Sequence, residues 1–466
     1  MLDDAGKPTM PAEGANSCKY TVGTLRYTTA GLVVVGGWMI WGNVCFSLMQ
    51  SVFSTLMTIQ LRDIQASPGA MGLLIGTIPA ALTFVLVPII SFKSDRYRSR
   101  WGRRKPFIIW TAPFLVLALG SLGYVRDIHQ FMNDHADWLA GHHLAPITAS
   151  LGVIGVLVVL FIFFDDFVNS VAWYLITDVI PAKVMGRYNA IGLLVTAGAN
   201  MLWSRFVIPH YTPEDARYVY WGAALLYFVG YGLMCVFVKE GDYPPPPETE
   251  QRASRFGGLT RYFRECFSHP MYLALFGFTA VLAVSNACNT WRILFVRETA
   301  GLSMAQYGMV LFYCAPLSMA LALPVGYLVD RFTPVRMLMV ATALLVPMAL
   351  ANFWVHDYRS MLILSLVSLP ANAAWDAAMQ PMLVQLLPRA QYGQFCSANS
   401  MVRSLIRIGA PMVGAAYITF MHQDWVRIFY WQGFWLLGSL GVLFLLYAQY
   451  RKNGGPYHYV APVPTV

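Results

Sequence analysis

About a dozen apolar stretches, each roughly 20 to 28 residues long and joined by mostly short polar connections, run the length of the chain. At 1.5 Å per residue a stretch of that length crosses a hydrocarbon layer of ~30 Å. Read from hydropathy, the segments are 30–55, 71–91, 107–125, 147–178, 188–208, 218–238, 270–296, 304–328, 337–355, 360–386, 395–421 and 426–449. With 57% hydrophobic and only 12% charged residues in 466, the composition is too apolar for a soluble globular protein of this size. The expectation is an all-α membrane protein with twelve transmembrane helices.

The first 29 residues are polar and carry no apolar core with a small-residue cleavage site, so a removable signal peptide is not expected and the first apolar segment reads as a retained span. The seven cysteines are scattered, with no CxxC pair, which argues against a disulfide framework or a metal site. A formal charge of +9 raises the question of nucleic acid. Its placement answers it: of the 32 Lys and Arg, about 22 fall on one set of alternate loops and tails and about 6 on the other. That asymmetry expects both termini in the cytoplasm, with the bilayer as the partner and no nucleic acid; the expected location is a bacterial inner membrane.

The chain divides at residues 239–269. This stretch opens with KEGDYPPPPETE, a stiff extended spacer, and closes with RASRFGGLTRYFRECF, where Phe256, Leu259, Phe263 and Phe267 alternate with Arg252, Arg255, Arg261 and Arg264 as in a helix lying on the inner membrane surface. The expected organisation is a tail at 1–29, a six-helix bundle at 30–238, this linker, a second six-helix bundle at 270–449 and a tail at 450–466. Two short internal matches support a repeat. Pro181 and Gly186 after the fourth span correspond to Pro388 and Gly393 after the tenth, and Asp95–Arg96 after the second span correspond to Asp330–Arg331 after the eighth. Two pseudo-symmetric six-helix halves are a common plan among secondary transporters.

The loop after the second span, SDRYRSRWGRRKPF, and its eighth-span copy GYLVDRFTPVR carry a resemblance to the major facilitator superfamily, over about residues 26 to 452. Ser91 stands where that family's motif has glycine and RSRW is inserted, whereas the second copy keeps Gly326 and lacks the closing basic pair. The inserted form resembles the glycoside-cation branch, which includes the sucrose-proton symporters. The resemblance implies a substrate transporter working by alternating access. In it Asp95, Arg96, Arg103, Arg104, Asp330 and Arg331 would form latches between the halves, through hydrogen bonds to helix N-termini, arginines, carboxylates or lipid phosphate. A role in topology alone is the plainer account of the basic residues.

The sequence FIFFDDFVNS puts Asp165 and Asp166 about 20 Å along the fourth span from its cytoplasmic end. Ionised acids at such depth cost at least ~2.5 kcal/mol each on insertion scales, so they should face a cavity, find a partner or be protonated. Adjacent helical residues point about 100° apart, so the two acids face different neighbours. Arg205 on the fifth span lies ~26 Å up, within reach, and an acid–arginine pair that opens on protonation is the expected coupling device. The resemblance implies the same roles, with Asp166 and Asn169 matching the D-x-x-N of the sucrose symporters. A structural ion pair or sodium coordination are the alternatives to proton coupling.

The repeat carries Asp165 onto Asn372 and Asn169 onto Asp376, beside Trp375, at a depth that Arg403 and Arg407 of the eleventh span can match. Asn43, Ser47, Gln50 and Ser54 form a polar stripe on the first span, expected to carry water or substrate, and Asn286 and Asn289 a patch on the seventh before Trp291. Trp173, Trp291 and Trp375 near amide side chains suit sugar rings, which stack on aromatic faces and need directional hydrogen bonds. Hydrogen bonding between helices explains the polar pairs equally, and an organic anion or acidic sugar would instead use Arg205, Arg403 and Arg407. The expected activity is proton-coupled glycoside or disaccharide symport by a monomer, with no cofactor or metal and with sodium as the alternative coupling ion. An intramembrane aspartyl protease is excluded by Phe164 and Trp375 before the acids and by the absence of GxGD. A transporter-like sensor would have the same sequence features.

Overall fold

A computed structural model describes residues 20–22, 24–97, 99–181, 184–241, 262–388 and 391–462. Eleven helices among them are long and apolar enough to cross a membrane: Thr29–Asp63, Pro68–Ile90, Lys105–Asp134, Pro146–Val179, Arg187–His210, Ala216–Phe237, Pro270–Thr299, Met304–Val329, Pro334–Trp354, Tyr358–Leu386 and Arg427–Lys452. A further helix, Tyr392–Phe420, is 29 residues long and occupies the place of the eleventh span. Its charged residues, Arg403 and Arg407, lower its hydropathy without shortening it. The fold is almost wholly helical, and each expected segment falls on one of these helices, although the first and third helices run eight and nine residues past the expected ends at 55 and 125.

Local chemistry sets several boundaries. Thr28, Ser67, Ser303 and Asp357 accept hydrogen bonds from backbone N–H groups at the starts of spans 1, 2, 8 and 10. Prolines open spans 2, 4, 7 and 9, where a missing N–H is harmless. Spans 2 and 7 are not plain helices. The second passes through a π-turn at Gly72–Thr77, and the seventh breaks into a 3-10 turn at Asn286–Trp291 and a π-turn at Phe295–Thr299.

Three segments depart from the expected plan. The N-terminal tail contains an antiparallel hairpin, Tyr20–Val22 with Leu25–Tyr27. Past the expected end of the third span at residue 125 the chain continues as the helices Val125–Asp134 and Ala136–Gly141. Most of the expected interfacial helix, including Phe256, Leu259, Arg252, Arg255 and Arg261, lies outside the described residues. Residues 262–267 are helical, and there Phe267 packs against Phe276 of the seventh span.

Large apolar side chains on the outer surface, such as Leu193 at 73% and Leu323 at 86% exposure, are what a helix facing lipid presents. The inside holds two cores. One, around Tyr272, Phe395 and Tyr450, belongs to the second half; the other fills the first half around Phe161, Tyr220 and Tyr227 and runs on into the second through Trp291, Phe295 and Trp425. The protein is a multi-pass integral membrane protein. The face where the first span begins and the twelfth ends is called here the terminal face, and its opposite the far face.

Candidate functional site

The acids of the fourth span are both buried, yet among the described residues neither contacts a cation. Gln50 of the first span donates through Nε2 to Asp165 Oδ2 at 2.8 Å, and the Thr83 hydroxyl of the second span lies 3.0 Å from both Oδ1 and Oδ2 of Asp166. Asp165 Oδ1 is buried with no hydrogen-bond partner. The expected pairing with Arg205 is not formed. Arg205 stands in the last turn of its helix, over the Phe206 ring at 5.5 Å. The fifth span packs against the first and the eighth, so it does not face the side of the fourth that bears the acids.

The polar stripe of the first span is used for holding helices together. Asn43 donates to Thr196 at 3.4 Å, Ser47 accepts from Asn200 at 2.9 Å and Gln50 serves Asp165, while Ser54, the last of the stripe, is exposed. Asn43, Asn169 and Trp173 border a pocket of about 10 Å³, room for a single water at most.

The larger spaces lie elsewhere. A cavity of about 370 Å³ sits between the halves, walled by Gly76, Pro79 and Thr83 of the second span, Asn286 and Thr290 of the seventh, and Ser404 and Arg407 of the eleventh. Arg407 is exposed and forms no ion pair with Asp376. A second cavity, about 200 Å³, lies inside the second half, lined by Asn286, Arg292, Asn372, Trp375, Asp376 and Gln432 among others. Asn286 borders both, and it accepts from Asn289 at 3.1 Å. Arg403 is half-buried one turn from Arg407. Trp291 is not available to a ligand: it is fully buried, its ring wedged where a Cβ on Gly72 or Gly414 would come within 3.3 and 3.2 Å of it.

At the far face the halves are tied by reciprocal ion pairs. Arg62 holds Glu298 through two bonds of 2.7 and 2.8 Å, Arg297 holds Asp63 at 3.0 Å, and Glu298 also accepts from the Trp425 indole at 2.8 Å. Each half thus gives an Arg-acid doublet from the end of its first helix, and each arginine reaches the other's acid. Below them Thr58 donates to the Thr290 carbonyl, Thr77 to the Ile408 carbonyl, and Gly308 lies so close to Ser204 that a Cβ would come within 2.2 Å of its carbonyl oxygen. Among the described residues, every hydrogen bond or ion pair that joins the two halves lies toward this face.

The expected latch residues behave differently. Arg103 and Arg104 both bind Asp178, at 2.6 and 3.2 Å, and Glu240 accepts from the backbone N–H groups of Arg103, Arg104 and Lys105 at 2.7 to 3.1 Å. A carboxylate on three N-terminal amides is a favourable place for negative charge. Gly102, at φ +106°, leaves room for it, because a Cβ there would lie 2.5 Å from the Glu240 carboxyl. All these groups belong to the first half or its junction with the linker, so these bonds clasp one half. The side chains of Asp95, Arg96 and Asp330 lie outside the description, and Arg331 is exposed.

The sequence expectations did not include Thr83, Gln432 or the far-face network. The doublets Arg62–Asp63 and Arg297–Glu298 were detectable in principle, as matched charges at matched helix ends of a repeat. Thr83, one hydroxyl in an apolar run, offered no signal.

The sequence profile described as Major Facilitator Superfamily matches residues 39–411. Among solved structures, the chain is similar to a bacterial homolog of the human lysosomal transporter Spinster in an inward-facing and occupied conformation (14% identity, TM-score 0.66, 91% of this chain and 99% of that one). It is similar also to a bacterial homologue of the iron transporter ferroportin in an inward-facing state (14%, 0.61, 89% and 98%) and to the nucleoside transporter NupG (13%, 0.60, 90% and 99%). Such low identities speak for the fold alone. The profile covers most of the chain, and the paired halves enclose a central cavity as a substrate carrier requires: the chain belongs to the major facilitator superfamily of membrane transporters.

Proposed function

We propose that the protein is a proton-coupled symporter of a glycoside, disaccharide or related sugar, working as a single chain by alternating access. The observation that carries this reading is the pair Asp165 and Asp166, deep in a transmembrane helix and bonded only to a neutral amide and a hydroxyl. Ionised, each would cost at least ~2.5 kcal/mol on insertion scales; a proton relieves that cost and travels with the acid as the halves rock. No cofactor enters the scheme beyond the coupling ion. With cytoplasmic termini, as the basic loops suggest, the terminal face is the inner one and the present conformer is closed outward.

A sugar suits the walls: hydroxyls and amides at Thr83, Asn286, Thr290 and Ser404 in the central cavity, and Trp375 with Asn372 and Gln432 in the adjoining one. The likeness of SDRYRSRWGRRKPF to the glycoside-cation branch supports the same class. A second reading, transport of an organic anion or acidic sugar, draws on Arg407, which faces the central cavity with no carboxylate partner.

Uptake of radiolabelled sucrose into proteoliposomes tests the proposal. It should follow an inward-directed pH gradient and fall at least tenfold when Asp165 and Asp166 both become Asn, with counterflow exchange better preserved. Sucrose uptake driven by sodium at constant pH would overturn the proton scheme. Uptake of a glucuronide but not of sucrose, abolished by Arg407→Gln, would move the substrate to the anion class.

A further inference from the structure

The two neighbouring acids occupy unlike surroundings, and the difference separates their tasks. We infer that Asp166 is the acid that exchanges its proton with the central cavity, that Thr83 is the positioning residue connecting the two, and that Asp165 is a structural acid. The inference rests on the proton-coupled reading above.

Asp165 points toward the first and sixth spans. Its partner there is Gln50, and Gln50 borders neither of the larger cavities. Tyr227 and Tyr231, which stack on each other at 4.5 Å in the sixth span, lie within its electrostatic reach, and both are buried. Its hydrogen bond ties the fourth span to the first, deep inside one half.

Asp166, about 100° further round the helix, faces the second span. Thr83 touches both of its carboxyl oxygens and also lines the cavity of about 370 Å³. Of the second-span residues on that wall, Ile75, Gly76, Pro79, Ala80 and Thr83, only Thr83 has a polar side chain. The threonine is therefore the sole side-chain polar link, among the described residues, from cavity to acid.

A hydroxyl is the right group for this place because it can donate to a carboxylate and accept from a carboxylic acid. When a hydronium ion in the cavity gives its proton to Thr83 Oγ1, the hydrogen already on that oxygen passes to an Asp166 oxygen. One O–H bond breaks and one forms at the threonine, the hydronium becomes water, and the carboxylate becomes neutral.

The other ionisable groups around Asp166 do not compete for this role. The third span, packed on the fourth, carries only Lys105 within Lys105–Ser121, and that ammonium is bound to the Val238 carbonyl at 2.7 Å near the terminal face. The short helix Val125–Asp134 packs on the fourth span nearer the far face with Arg126, Asp127, His129 and Asp134. On the second span Lys93, Asp95 and Arg96 lie near its terminal end. Cys45 and Cys235 are buried on the first and sixth spans, on the side of Asp165. Across the cavity stands Arg407, whose charge disfavours extra positive charge in the cavity and favours a negative Asp166.

The test is infrared difference spectroscopy of the purified full-length protein during pH titration and after transfer to heavy water, following the carbonyl band of protonated carboxyl groups. It needs no substrate. The titrating band should persist in Asp165→Asn and vanish in Asp166→Asn. In Thr83→Val, which keeps the shape and removes the hydroxyl, deuterium exchange of that band should slow about tenfold, and Thr83→Ser should restore it. A band lost in Asp165→Asn but kept in Asp166→Asn overturns the assignment and leaves proton coupling intact. A band lost in either single variant also overturns it, since the acids would then act as one. A band unaffected in both would remove the proton-coupled reading as well. If Asp166→Asn fails to fold, unchanged exchange in Thr83→Val still refutes the proposal.

Discussion

The two faces of the bundle use charge in opposite ways. At the far face the charges cross between halves: Arg62 to Glu298 and Arg297 to Asp63, a reciprocal pair of bonds as in a twofold interface. At the terminal face Arg103, Arg104, Asp178 and Glu240 satisfy one another within the first half. The second half carries other side chains at the corresponding places. Where the repeat places Asp178 it has Gln385, which donates to the Tyr450 hydroxyl at 2.9 Å, and its copy of the loop lacks the basic pair. Charges that cross a moving interface must be exposed enough to part. The Arg62 and Glu298 side chains are 29% and 30% exposed, whereas Arg104 is 5% and Asp178 11% exposed. Exposed pairs contribute about 0.2–1 kcal/mol, and breaking a buried one costs about 3–5 kcal/mol. On the alternating-access reading proposed above, the far face is the part that opens and the clasp the part that stays shut.

The sharpest way to break this contrast is steric. Gly308→Val and Gly76→Val push side chains into the Ser204 carbonyl and Pro411, contacts of 2.2 and 2.6 Å even for a bare Cβ. Both should drive the halves apart at the far face and stop transport. Labelling of Asn289→Cys by a membrane-impermeant maleimide should rise tenfold or more, a shift of about 1.4 kcal/mol. Unchanged labelling would mean that the far-face contact is not the closure.

Asp178→Ala should act on the other face and in another currency. It leaves Arg103 and Arg104 without their shared carboxylate, so thermal stability in detergent should drop by about 3 kcal/mol while the labelling of position 289 stays near the wild-type rate. A large rise in labelling with intact stability would show that the clasp takes part in gating after all.

Glu298→Gln should have a smaller effect in the same assay as the glycines. It removes the ionic bond to Arg62 from a partly exposed site, so labelling should rise about threefold, equivalent to about 0.6 kcal/mol. The exchanged pair Arg62→Glu with Glu298→Arg should recover closure in part, because the reciprocal geometry tolerates reversal of one bond. High salt should weaken the wild-type closure in the same direction.

The smallest effect expected is at Asp357, which caps the tenth span outside the membrane. The Ser360 hydroxyl, then the Ser360 backbone N–H, holds its carboxyl below the usual carboxylate range. A lowered acid contributes its stability above the ordinary carboxylate value and loses it as the pH falls through the lowered one. Hydrogen exchange at the first turn of this span, corrected for its intrinsic dependence on pH, should therefore be flat from neutral pH down to the ordinary carboxylate range and quicken below it. In Asp357→Ala it should be faster throughout, with no such step.

How legible was all this? The twelve helices were, because a bilayer forces each crossing segment to satisfy its own backbone and to be apolar for the whole crossing, and both demands are written locally. The two halves were legible through Pro181 and Pro388. The mid-helix acids stood out for the same reason that apolar runs do: an acid in hydrocarbon is expensive wherever it points.

Their partners were not legible. Depth along a helix placed Arg205 near Asp165, but rotation about the axis and the choice of neighbouring helix belong to packing, and packing gave the acids Gln50 and Thr83. The tryptophans divided likewise: Trp375 borders a cavity, while Trp291 fills the contact between spans 2 and 11. Sequence determined what each helix is and how deep its polar groups lie, because those follow from the solvent. Only the tertiary structure decided which polar groups meet and which half each charge serves, because a helix presents its faces all round and the neighbours choose among them.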